Sequence, residues 1–182
     1  MKKVVIFAIF IVLVVGAVLI FDQKIMKRNK NENTSGPSEI KGPVREAAVA
    51  GSFYPADKDE LNLIIDDFLE NVQLPQLESD IRAIIVPHAG YVYSGQVAAY
   101  AYHLIRGRKY DTVIVIGPSH RVAFHGVSVF SKGGYETPLG IVPVDEDLAE
   151  KIKISPLVSD FPGAHLQEHS VDIELPFLQV AL

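Results

Sequence analysis

The sequence predicts an α/β domain with a partly parallel central sheet flanked by helices, and three observations predict it. Two short apolar runs, Ala83-Ile84-Ile85-Val86 and Val113-Ile114-Val115-Ile116, are rich in β-branched residues and are bounded by Gly and Pro, as buried strands are. Between them, Val97 to Ile105 carries apolar residues at helical spacing with several alanines. Each strand-like run ends at once in a proline and a histidine: Pro87-His88-Ala89-Gly90-Tyr91 after the first, Gly117-Pro118-Ser119-His120 after the second. His88 and His120 are 32 positions apart, close to the length of one strand-helix-strand unit. Such a crossover is right-handed and makes its strands parallel. Both imidazoles are then expected just past the carboxyl ends of parallel strands, where open α/β sheets place their ligands.

The other segments follow in order. Val4 to Phe21 is eighteen residues without a charge, preceded by Met1-Lys2-Lys3. It reads as an uncleaved single-pass transmembrane anchor, or an uncleaved signal, over residues 1–21; a cleaved signal peptide is the rival reading, and no small-x-small cleavage site follows the run. Lys2 and Lys3 on one side and Lys24, Lys27, Arg28 and Lys30 on the other leave the side of the membrane open. Residues 22–43 are polar and read as a flexible linker. The globular domain is expected over 44–182. Asp57 with Glu60 forms a capping box ahead of a helical stripe, Leu61, Ile64, Ile65, Phe68 and Leu69. Ser94 is placed to cap the second helix, leaving Tyr91 and Tyr93 in a loop beside His88. Gly126 to Phe130 alternates as a strand, and the glycine-rich stretch 133–140 reads as a hairpin. Asp145 caps a helix carrying Leu148, Ala149 and Ile152. His165-Leu166-Gln167-Glu168-His169-Ser170 enters a last helical pattern, which runs to Leu182 without a stop signal. With two central strands in hand, the expected sheet is incomplete at its carboxyl end.

Composition narrows the chemistry. The chain has no cysteine, so disulfides, thiolate metal ligands and a cysteine nucleophile are excluded. The net charge of −5 is split: residues 1–43 carry +4 and residues 44–182 carry −9. A domain that acidic does not suit a nucleic-acid backbone. Imidazole suits zinc, iron and copper, which makes His88 and His120 candidate metal ligands. Glu168, His169 and Tyr91 are candidates for acid, base or supporting roles, and Ser119, Tyr93 and His125 for the lining of the pocket. His103, mid-helix near Tyr100 and Tyr102, reads as structural.

Four motifs taken together carry a resemblance. Arg45-Glu46-Ala47 with Ala50-Gly51-Ser52-Phe53-Tyr54-Pro55, then Pro87 to Gly95, then Gly117-Pro118-Ser119-His120, then Glu168 to Phe177 resemble the Memo family, whose prokaryotic members are called AmmeMemoRadiSam system protein B. The likeness runs in unbroken order from Val44 to Leu182. It implies a fold similar to the class III extradiol dioxygenases, which hold non-haem iron with two histidines and a further ligand. It implies that His88 and His120 are the metal-binding pair, that the metal is iron or copper, and that the third ligand lies in a carboxyl-terminal half outside this chain. Radical-SAM and AMMECR-type partners are implied by the family name. The function expected is oxidoreductase or dioxygenase-like chemistry in the complete protein. The alternatives are a non-catalytic adaptor that grips a peptide or other ligand, as one eukaryotic member is described, and a metal-dependent hydrolase.

Overall fold

The computed structural model describes residues 40–74, 77 and 80–182. The elements run β1 (Val44–Arg45), α1 (Lys58–Glu70), α2 (Tyr91–Ile105), β2 (Val127–Ser128), β3 (Gly134–Thr137), β4 (Gly140–Pro143), α3 (Glu146–Ile152), β5 (Val158–Ser159) and α4 (Leu175–Ala181). One-turn 3₁₀ segments at Pro162–Ala164 and Asp172–Glu174 precede α4.

The sheets differ from the expected one. A three-stranded mixed sheet has the order β1-β3-β4, with β1 and β3 parallel and β3 and β4 antiparallel; β2 and β5 form a separate parallel pair. Among the described residues, neither 83–86 nor 113–116 is part of a β-ladder. The central parallel sheet predicted from these runs is therefore corrected to an α/β arrangement of small mixed sheets and helices. Periodicity reports that a run is apolar and half-buried, but a strand also needs a partner for its N–H and C=O groups, and the pattern does not name one. The single-pass membrane reading is corrected as well: among the described residues no helix is long and apolar enough to cross a membrane. The run Val4–Phe21, on which that reading rested, lies outside the described residues.

The helices form where local chemistry dictates. The Asp57 side chain accepts from the N–H groups of Asp59 and Glu60 and starts α1, and Asp145 accepts from Leu148 N–H to start α3. Helix α2 begins six residues before the expected Val97, with Gly90 at its N-cap. Ser94 lies inside it, its hydroxyl donating to Ala89 C=O. Tyr91 and Tyr93 thus stand in the first turn of a helix rather than in a loop. The early start follows from the Phe53 carbonyl, which takes the Tyr91 N–H and anchors the turn.

The main core joins α1, α2 and α4. Leu61, Ile65 and Leu69 meet Ala98, Ala99, Tyr102 and Ile105, with Phe177 between them. Gly95 permits the close crossing of α1 and α2, since an added Cβ there would lie 2.3 Å from the Phe68 ring. His103 Nδ1–H donates to Leu69 C=O at 3.0 Å, a helix-packing role. A second, smaller cluster of Phe130, Tyr135 and Leu175 lies over the mixed sheet.

Beneath the first core sits Glu174, 5% exposed, with Tyr102 Oη donating to its Oε2 at 2.6 Å. Burial pushes its carboxyl up to about 7, against the lowering effect of the tyrosine hydrogen bond. The native state thus holds a proton that the unfolded chain has lost, so the stability from this group is full below about pH 4.5 and is lost as the pH rises through about 7. Glu174→Gln removes the buried charge and keeps a partner for Tyr102. It is expected to stabilise the domain at pH 8 by on the order of 3 kcal/mol and to leave it unchanged at pH 4.5. Urea unfolding at the two pH values measures the difference.

Candidate metal centre

The carboxyl-terminal stretch 168–172 gathers the site. Ser170 Oγ donates to Pro118 C=O at 2.8 Å, and the two segments come so close that a Cβ on Gly117 would lie 2.3 Å from Ser170 Oγ. Gly117 is therefore needed for close approach. On the other side, the carbonyl of Glu168 accepts from Arg45 Nη2, and the carbonyl of His165 accepts from Arg45 Nε at 2.9 Å. Arg45 pairs through Nη1 with Asp172 at 3.0 Å. Asp172 also accepts from Ala48 N–H, Val49 N–H and the Tyr54 hydroxyl. One buried ion pair thus ties the amino-terminal Arg45-to-Pro55 motif to the segment carrying Glu168 and His169.

Three imidazoles converge as a result. The ring centroids of His88 and His120 are 5.4 Å apart, those of His120 and His169 4.5 Å, and those of His88 and His169 5.9 Å. One nitrogen from each ring lies within 4.8 Å of the others. A metal bound to imidazoles at about 2.0–2.1 Å sets neighbouring nitrogens about 3–3.4 Å apart, so an ion held by all three rings would need them to close by roughly 1 Å. The three donors fit an iron, copper or zinc ion, all of which accept imidazole.

Glu168 organises the set. Its carboxylate accepts from His120 N–H at 2.5 Å, His120 Nδ1 at 2.8 Å, and the N–H groups of His169 and Ser170 at 2.9 Å each. Partial burial raises its pKa, but these hydrogen bonds outweigh it and hold the carboxyl down at about 2. An ionised carboxylate only accepts, so Nδ1 of His120 carries the proton and Nε2 keeps its lone pair for a ligand. Desolvation lowers the pKa of His169, which favours its neutral, ligating form even though Glu168 opposes the shift. Phe53 packs on His169 with centroids 4.9 Å apart. An open pocket of about 620 Å³ adjoins His88 and His169, walled by Ser52, Phe53, Pro87 and Tyr93.

The other sequence candidates fall in different places. Tyr93 is 86% exposed at the rim of this pocket. Tyr91 is buried among Tyr54, Phe68 and Phe177, and its hydroxyl donates to Ile173 C=O at 3.0 Å. It is a core position whose proton is already committed; burial raises its pKa far above the tyrosine range. Ser119 donates to Val122 C=O at 2.6 Å and shapes the His120 loop. His125 is exposed and outside the imidazole cluster. The sequence assigns His169 an acid–base or supporting role; the structure brings its ring into the cluster with His88 and His120. Arg45, Asp172, Ser170 and Phe53 are not site residues on sequence grounds, because a partner 52 to more than a hundred positions away leaves no local signal.

An α/β domain that presents three convergent imidazoles beside an open pocket defines a histidine-lined candidate metal centre. Residues 45–182 match the family model described as Memo-like protein, and the chain belongs to that family. It is 45% identical over 136 residues to a "MEMO1 family protein" of Aquifex aeolicus, covering 75% of this chain and 49% of that protein. It is 39% identical over 137 residues to one of Thermoplasma volcanium, covering 75% and 50%. One of Sulfolobus acidocaldarius is 43% identical over 148 residues, covering 75% and 52%. The chain thus spans about half the length of these curated relatives.

Proposed function

We propose that His88, His120 and His169 hold one iron or copper ion, and that the complete protein is a non-haem metal oxidoreductase. The observation that supports this most is the pairing of three imidazole nitrogens within 4.8 Å with a carboxylate that fixes the tautomer of one of them. Such an ion supplies redox chemistry and open positions for small ligands. The chain's own contribution is to orient the ligands through Glu168, to keep His169 neutral by desolvation, and to offer a pocket walled by Phe53 and Tyr93 for the organic substrate.

Anaerobic titration of the full chain with Fe(II) and with Cu tests the reading. One ion per chain is expected, and His88→Ala, His120→Ala and His169→Ala are each expected to weaken uptake by at least about tenfold. Uptake unchanged in the triple variant overturns it. The pocket also supports the adaptor reading, because Tyr93 and Phe53 present an open aromatic wall. Binding of a peptide that survives both chelation and His120→Ala favours the adaptor. Turnover of an ester or amide without O₂ consumption favours the hydrolase.

A further inference from the structure

A series of aromatic rings runs from the imidazole cluster into the main core. Phe53 packs on His169 with centroids 4.9 Å apart, and Tyr54 is the next residue along the chain. The Tyr54 ring lies 5.5 Å from Tyr91, Tyr91 4.9 Å from Phe177, and Phe177 4.8 Å from Tyr102, with which it is stacked. Tyr54, Tyr91, Phe177 and Tyr102 are all buried. Phenylalanine would fill these places without the cost of burying a hydroxyl, yet three of the four positions carry one.

The three hydroxyls meet different acceptors, and the difference decides where an electron can be lost. A phenol that gives up an electron in an apolar site must also release its proton, because a radical cation is costly there. Tyr91 Oη donates to Ile173 C=O at 3.0 Å, and a carbonyl does not keep a proton. Tyr54 Oη donates to Asp172 at 2.9 Å, but protonating that carboxylate strands the buried Arg45 cation. Tyr102 Oη donates to Glu174 Oε2 at 2.6 Å, and among the described residues Glu174 forms no ion pair. Burial disfavours the charge of Glu174, so this carboxylate gains by taking a proton.

We propose that Tyr102 is a redox-active tyrosine with Glu174 as its proton acceptor, and that the rings of Phe177, Tyr91, Tyr54 and Phe53 carry its electron to an oxidant at the imidazole cluster. The oxidant is of the peroxide class. Hydrogen peroxide takes two electrons and two protons and leaves as two waters. The bound ion supplies one electron, Tyr102 the other, and solvent the protons. The hydroxyl proton of Tyr102 passes to Glu174 Oε2, which leaves a neutral tyrosyl radical beside a neutral carboxylic acid. Rings in contact divide the transfer into short steps. The connection to the cluster rests on the metal reading given above; the chemistry of the Tyr102–Glu174 pair does not.

Metal-free photochemistry on the full 182-residue chain tests the pair. The sequence has no cysteine, so Ser52→Cys at the pocket wall takes a single ruthenium polypyridyl photo-oxidant. Tyr93→Phe removes the exposed phenol beside it. At about pH 8, where Glu174 is charged, flash oxidation is expected to give a neutral tyrosyl radical in electron paramagnetic resonance. Difluorotyrosine at position 102 keeps the hydroxyl and is expected to add fluorine splitting to that signal, which assigns the radical without removing the hydrogen bond. Glu174→Gln keeps an acceptor oxygen but cannot take the proton, and it is expected to cut the radical yield by about tenfold or more. No tyrosyl signal, a signal without fluorine splitting, or a yield unchanged by Glu174→Gln overturns the proposal. The iron-loaded chain, mixed with hydrogen peroxide and freeze-quenched, is expected to give the same radical. Bound iron without that radical overturns the connection to the cluster. A chain that takes up no iron sinks the metal reading alone, and the photochemical result then decides the Tyr102–Glu174 pair.

Discussion

Asp172→Ala is expected to destabilise the domain by about 3–5 kcal/mol, the largest single-residue effect outside the hydrophobic core. The Asp172 side chain is fully buried and its partner Arg45 is 1% exposed. Removing the carboxylate leaves the Arg45 cation without its partner and orphans the N–H groups of Ala48 and Val49 and the Tyr54 hydroxyl. Desolvation, not the lost attraction, supplies most of the effect, and a second variant shows this. Replacing both members, Arg45→Met with Asp172→Leu, is expected to be milder than Asp172→Ala alone, because no charge is then stranded. Denaturant midpoints of the two variants make the comparison. A single variant within about 1 kcal/mol of the wild type would show that water reaches the pair.

Glu168→Gln is expected to weaken metal uptake by about 10–100-fold while leaving all three imidazoles in the chain. Glutamine keeps one acceptor, but its NH₂ group faces N–H donors where the carboxylate accepted them, at His120 Nδ1 or at the backbone. The His120 ring then loses the partner that fixes its tautomer. Glu168→Asp, which keeps the charge at a shorter reach, is expected to recover part of the affinity, whereas a merely structural role would track folding stability alone. The pH dependence has a definite sign. The folded pKa is depressed to about 2 from 4.5, so the stabilisation is present above about pH 4.5 and is lost as the pH falls through about 2. The Gln variant should lack that acid transition. Equal affinity in the wild type and the variant would remove Glu168 from the metal argument.

His165 is held by a different network. Tyr135 Oη lies 2.9 Å from its Nδ1 and Ser128 Oγ 3.0 Å from its Nε2. Burial, helped by the nearby Arg45, lowers its pKa, so its contribution is present at neutral pH and falls away as the pH drops below about 6.5. It tethers the β2–β5 pair to β3 and stays apart from the imidazole cluster.

Much of the local structure was legible along the chain. The Asp57 and Asp145 caps, the α1 stripe and the glycine-rich hairpin follow from short-range rules: side-chain oxygens seek free N–H groups, helices repeat every 3.6 residues, and Gly-rich turns reverse strands. Family membership was legible too, because four motifs in fixed order are a strong local signal. What the tertiary structure decided was pairing. It left 83–86 and 113–116 out of any ladder, took Tyr91 into the core, and used the Arg45–Asp172 ion pair and the Glu168 carboxylate to bring His169 up to the other two rings. These are contacts between residues tens to more than a hundred positions apart. Their energies depend on which groups lose water together, and a linear sequence does not state that.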